Sequence, residues 1–184
     1  MRVWRRFLDK LLEEDSGPPR LHLPVQTDQV TARDLAYGLL HLVRGSEEED
    51  AVTLKDSEET IDLDTLRVEL FCLRAFAVDF AVWDTLKNEA ERTTVLDAFY
   101  EALEDVAKED SAGAALVAHI KSRMLTYTEA IKEPSSSGLA WPVGKAFAKC
   151  CGSEDLETMT LGSIVFGTSL KAIIGVVKKL RVTG

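Results

Sequence analysis

Three features of the sequence predict an all-α fold, a single-domain bundle of six or seven helices around a buried central helix. Apolar residues recur at helical spacing along almost the whole chain. Strand-like alternation is confined to short pieces such as residues 21–25, and residues 66–83 are apolar on nearly every helical face. A helix that is apolar all round belongs in the middle of a bundle, where ionised groups persist only when paired or required by function. Glu69, Arg74 and Asp79 fall in that stretch, so their surroundings matter most. A length of 184 residues with 46% apolar content suits one helical domain over residues 1–184. A domain of this size buries roughly two-thirds or more of its unfolded surface.

The elements follow in order. Residues 2–14 read as an amphipathic helix with Val3, Trp4, Phe7, Leu8, Leu11 and Leu12 on one stripe, stopping before Ser16, Gly17, Pro18 and Pro19. Residues 16–30 form an extended connection held open by Pro24. Thr31 caps a second helix that carries Asp34 in its first turn and runs to Arg44, where Gly45 ends it. Residues 45–62 read as an acidic surface segment. Asp62 or Asp64 then caps the central helix, which continues to about Lys87.

A further helix is expected over residues 89–108, with Val95, Leu96, Phe99, Tyr100, Leu103 and Val106 inward. The next, over residues 112–132, has Leu116, Val117, Ile120, Met124, Tyr127 and Ile131 as its apolar stripe, and Pro134 with Gly138 ends it. A short helix over residues 142–150 precedes Gly152. Ser153 or Asp155 caps the last helix, expected to reach about Arg181.

Charge narrows the function classes. The net charge of -9 argues against a dedicated nucleic-acid binder, because phosphate contacts need a basic face. The acidity is concentrated: Glu47, Glu48, Glu49, Asp50, Asp56, Glu58, Glu59, Asp62 and Asp64 face only Arg44 and Lys55, while both chain ends are basic. The three cysteines, Cys72 and the adjacent Cys150 and Cys151, lack the spacing of a disulfide framework and fit a reducing cytoplasm. Arg5, Arg6, Asp9 and Lys10 break up the apolar residues of the start, so a secretion signal is not expected and the mature chain is read as beginning near Met1.

No catalytic, metal or cofactor motif is legible. Between Gly138 and the Gly144-Lys145 pair lie five residues where a phosphate loop has four, and Ala146 replaces the magnesium-binding hydroxyl residue. None of His22, His41 and His119 has a glutamate three positions before it, as inward-facing di-metal bundles require. Zinc-like Cys and His spacing is missing, and Cys150 with Cys151 is too tight for a two-ligand hairpin. Neither a G-x-S-x-G elbow nor a dinucleotide glycine pattern occurs.

Two groupings remain as candidates. On the central helix Glu69, Cys72, Phe76, Asp79 and Trp83 share a stripe, but Glu69 and Asp79 stand about 15 Å apart along the axis and so predict separate partners. His119, Arg123 and Tyr127 recur every four residues on another helix, so Arg123 is expected to pair with Glu69 or Asp79 and Tyr127 to donate to the same carboxylate. These five residues form a polar cluster, read first as a structural network and second as a ligand site. The other grouping is a candidate interaction surface, Trp4, Phe7 and Leu11 on the first helix with Gly167, Lys171 and Gly175 on the last.

The leading functional expectation is a cytoplasmic helical-bundle interaction or regulatory protein that binds an unidentified protein or a second copy of itself, with no cofactor. The alternatives are a small-ligand binder or enzyme built on the polar cluster, and a peripheral membrane protein using the basic first helix. Lys171 and several small residues argue against insertion of the last helix into a bilayer.

Overall fold

Residues 29–45, 61–108, 113–179 and 181–183 are described by the structure, a computed structural model. The element order is β1 (Gln29–Thr31), α1 (Ala32–Arg44), α2 (Leu63–Thr85), α3 (Glu89–Lys108), α4 (Gly113–Ala130), α5 (Ala140–Cys150), α6 (Leu156–Lys179) and β2 (Arg181–Thr183). The six helices among the described residues pack as an all-α bundle.

Local chemistry sets where the helices begin. Thr31 Oγ1 accepts from the Asp34 amide at 3.1 Å, and Asp62 Oδ2 from the Thr65 amide at 2.9 Å. Asn88 Oδ1 takes the amides of Ala90 and Glu91 at 2.9 and 3.2 Å, and Asp155 Oδ1 takes that of Thr158 at 2.7 Å. Each bond satisfies a donor that helical geometry leaves over. Gly45 closes α1 at a φ of 75°, where a side chain would be strained, and the Arg74 guanidinium packs against its bare Cα.

Helix α2 is the centre. Buried residues occupy its whole circumference from Leu66 to Val78, and it touches every other helix. The Phe76 ring lies 5.2 Å from Tyr127 on α4 and 5.7 Å from Phe166 on α6, binding three helices through one aromatic group. Helix α5 lies directly on α6: a Cβ at Gly144 would overlap Ser163 and the Met159 carbonyl, and one at Gly162 would overlap the Phe147 ring.

The ends of some elements differ from expectation. Helix α4 stops at Ala130, two residues before the expected Lys132, in a turn over residues 131–133. Helix α5 starts at Ala140, ahead of Pro142, which is tolerated because a first-turn residue needs no intrahelical donor. Helix α6 ends at Lys179, and residues 181–183 instead pair in parallel with β1, matching Gln29 to Arg181 and Thr31 to Thr183. The expected helix over residues 2–14, the alternation at residues 21–25 and most of the acidic segment lie outside the described residues.

Candidate functional site

Glu69 enters the bundle from the all-buried helix α2 and is 2% exposed. Its partner comes from α4: Arg123 Nε donates to Oε1 at 2.9 Å and to Oε2 at 2.8 Å, and Nη2 donates to Oε1 at 2.6 Å. One turn earlier on α4, His119 Nε2 lies 3.0 Å from the same Oε1. The four-residue spacing that puts His119 and Arg123 on one face therefore delivers both to one carboxylate. Arg123 and His119 are 23% and 29% exposed, so the cluster is closed by α2 and open at the edge of α4. Bonding to Glu69 holds the Arg123 guanidinium still more firmly in its charged form.

Asp79 stands outside this cluster, contrary to one branch of the expected pairing. Its Oδ1 accepts from the Tyr100 hydroxyl of α3 at 2.9 Å. The ten-residue offset along α2 carries it past α4 and against a different neighbour. Burial pushes the Asp79 carboxyl above its usual value, and the Tyr100 bond opposes that shift. Trp83, at the end of the same stripe, is exposed with the Arg92 guanidinium 5.9 Å over its ring.

Tyr127 also departs from expectation. Its ring is fully buried against Phe76, and its hydroxyl donates to no carboxylate. That hydroxyl makes no aligned hydrogen bond among the described residues, though it lies close enough to the Cys150 thiol to favour the ionised form of that group. Burial, with the Cys150 and Glu69 charges adding, pushes the Tyr127 hydroxyl well above its usual value.

The sequence reading missed the cysteines as part of this site. Cys72, one turn after Glu69 on α2, is fully buried, and its thiol is in mutual contact range with the Glu69 carboxylate and the His119 ring, the three ligand-type atoms lying within 4.8 Å of one another. Cys150 and Cys151, at the end of α5, act electrostatically on the same group. Burial first, and Glu69 second, pushes all three thiols up. A buried thiol held protonated is a poor nucleophile, which weighs against a cysteine–histidine catalytic pair here. The i, i+3 spacing of Glu69 and Cys72 was visible in the sequence, but the third group arrives only through tertiary packing.

The second candidate surface is on α6. Thr158, Gly162, Phe166, Ile173 and Val177 face the bundle, while Leu156 and Ile164 are 68% and 58% exposed. By length and composition α6 is the one helix among the described residues able to cross a membrane, and only 22% of its most apolar stretch is buried. A Cβ at Gly167 or Gly175 would meet nothing within 4 Å, in contrast to Gly144 and Gly162. Lys171 is exposed between them. Trp4, Phe7 and Leu11 lie outside the described residues. Compared with known proteins, the chain matches no family model, no curated protein and no solved structure.

Proposed function

We propose that this protein is a self-associating interaction module in which α6 packs antiparallel on α6 of a second copy. The observation that carries the reading is the outward face of this helix. Glu157, Thr160, Ile164, Thr168, Lys171, Gly175 and Lys178 succeed one another at helical spacing, and all are exposed except the half-buried Gly175. Half-buried Leu161, Val165, Leu170 and Ile174 flank them. Thr168 and Gly175 on this face, with Gly167 beside it, let a second backbone approach closely, and the flanking apolar groups supply area to bury.

Charge selects the orientation. Exposed Glu154 and Asp155 lead into α6 and exposed Glu157 lies in its first turn, while its end carries exposed Lys178 and Lys179. A two-fold axis near Gly167, the midpoint of Leu156–Lys179, sets the acidic start of each helix against the basic end of the other. It also places Ile164 against the aliphatic stem of Lys171 from the second copy. A parallel pairing would oppose like charges at both ends.

Sedimentation velocity over a micromolar concentration series tests the reading. The expected result is a dimer in the wild type that Ile164→Asp returns to monomer without loss of helicity. A wild type that stays monomeric throughout, or that becomes particle-bound only with anionic vesicles, overturns it in favour of a covering segment of the same chain or a membrane surface.

A further inference from the structure

We propose that Glu69, Cys72 and His119 form a binding site for a divalent transition-metal ion of the zinc type, entered from the edge of α4. The site is separate from the outward face of α6 and does not depend on self-association.

Ligand chemistry and placement carry this. A carboxylate oxygen, a thiol sulfur and an imidazole nitrogen already lie within 4.8 Å of one another. Tetrahedral zinc at its usual bond lengths of about 2.0–2.3 Å holds its ligands roughly 3–4 Å apart, so only a small contraction is needed. Two ligands come from successive turns of the most deeply packed helix and the third from its neighbour, a rigid arrangement. Thiolate with imidazole favours zinc or cobalt over magnesium or calcium, which prefer oxygen alone.

Arg123 takes the part of an outer partner. It grips Glu69 through both oxygens and fixes the direction of the carboxylate, as hydrogen-bonded second partners do in metal sites. Binding requires the His119 ring to exchange its 3.0 Å contact with Glu69 Oε1 for a bond to the ion. The Cys72 thiol loses its proton to solvent as its sulfur becomes a ligand, so one proton is released for each ion bound.

The Tyr127 hydroxyl lies on the inner side of this cluster's electrostatic surroundings. It is fully buried and feels the Glu69, Cys72 and Cys150 charges, yet it has no aligned hydrogen bond among the described residues. A hydroxyl at such depth is costly without an acceptor, and its near neighbour is the Cys150 thiol, which borders the cluster without belonging to it.

The test titrates Zn²⁺ into the full-length, reduced, metal-free protein against a chromophoric chelator, with Co²⁺ in parallel as the optical probe. One Zn²⁺ per chain is expected, and the Co²⁺ form should show sulfur-to-cobalt charge-transfer absorption. His119→Gln and Cys72→Ser should each weaken Zn²⁺ by at least about tenfold. The charge-transfer band should vanish in Cys72→Ser and persist in the Cys150→Ser, Cys151→Ser double variant. Because Cys72 is a core residue, His119→Gln, at a partly exposed position, keeps the test decisive if Cys72→Ser fails to fold. The site is overturned by no stoichiometric Zn²⁺, by undiminished affinity in folded His119→Gln, or by a band that depends only on Cys150 and Cys151.

Discussion

Arg123 holds both oxygens of Glu69, at 2.8 and 2.9 Å through its Nε alone, and this contact ties the exposed edge of α4 to the buried axis of α2. The two partners are unequal. Glu69 has nowhere to go, whereas Arg123 can turn its guanidinium to water along a flexible stem.

That inequality fixes the order of two mutational effects. Arg123→Met strands a buried carboxylate with His119 alone and should cost about 3 kcal/mol or more, in the range for a broken buried pair. Glu69→Gln leaves an arginine that can reach solvent and should cost roughly 1–2 kcal/mol. The double variant should cost less than the sum, because the two groups share one interaction. Urea unfolding of the four proteins measures this; equal or additive losses would contradict the geometry.

Asp79 yields a pH dependence of known sign. Burial raises its folded value above the usual 3.8, so between those two points the folded state holds more protons than the unfolded state. Stability therefore falls as pH rises through that window. Asp79→Asn keeps an acceptor for Tyr100 and removes the ionisation. It should be at least as stable as wild type at pH 7, with its advantage fading below pH 3.8. Asp79→Ala, which leaves the Tyr100 hydroxyl without its partner, should lose about 1–3 kcal/mol at either pH. Thermal melts across acidic to neutral buffers decide it.

The glycines of the last two helices should respond in opposite directions. Gly144→Ala and Gly162→Ala force α5 and α6 apart and should each destabilise by about 1–3 kcal/mol. Gly167→Ala meets open space and should raise the stability of the monomer by roughly 0.5–1 kcal/mol, since alanine suits a helix interior better. On the proposed two-fold axis the same methyl group obstructs the second copy. Gly167→Ala should therefore raise the melting temperature at dilute concentration while weakening dimerisation, a pair of effects that crowding within one chain would not produce.

An isologous antiparallel seam also allows charges to be exchanged within one chain. In the proposed seam Glu157 of one copy would face Lys178 of the other, so Glu157→Lys and Lys178→Glu should each weaken self-association roughly 3- to 10-fold, while the double variant restores it. Raising the salt concentration should shrink all three differences. Sedimentation equilibrium reads the constants, and a double variant weaker than either single one would oppose the arrangement.

Much of the bundle was legible because its signals are local. Thr31 and Asp62 cap within three residues of themselves, and the run after Leu66, apolar on nearly every helical face, announces a central helix whatever surrounds it. The spacing of His119 and Arg123 likewise gave their common face. Whether that face met Glu69 or Asp79 depended on the axial register of α4 against α2, which core packing decides. Cys72 became part of the cluster for the same reason. Pairing of Val30 with Val182 joins segments far apart in the sequence that no periodicity connects.

Cross-linking at a single engineered cysteine tests the central claim, that two copies meet through antiparallel α6 helices, most directly. Thr168, exposed beside the midpoint Gly167, lies next to its own copy on a two-fold axis, whereas Leu156 lies about 35 Å along the helix axis from its copy. With a short thiol-reactive linker, Thr168→Cys should give covalent dimer well above the wild-type background of native thiols. Leu156→Cys should not, unless Lys179→Cys is added in the same chain. Efficient linking of Leu156→Cys by itself, or none at Thr168→Cys, would contradict the account.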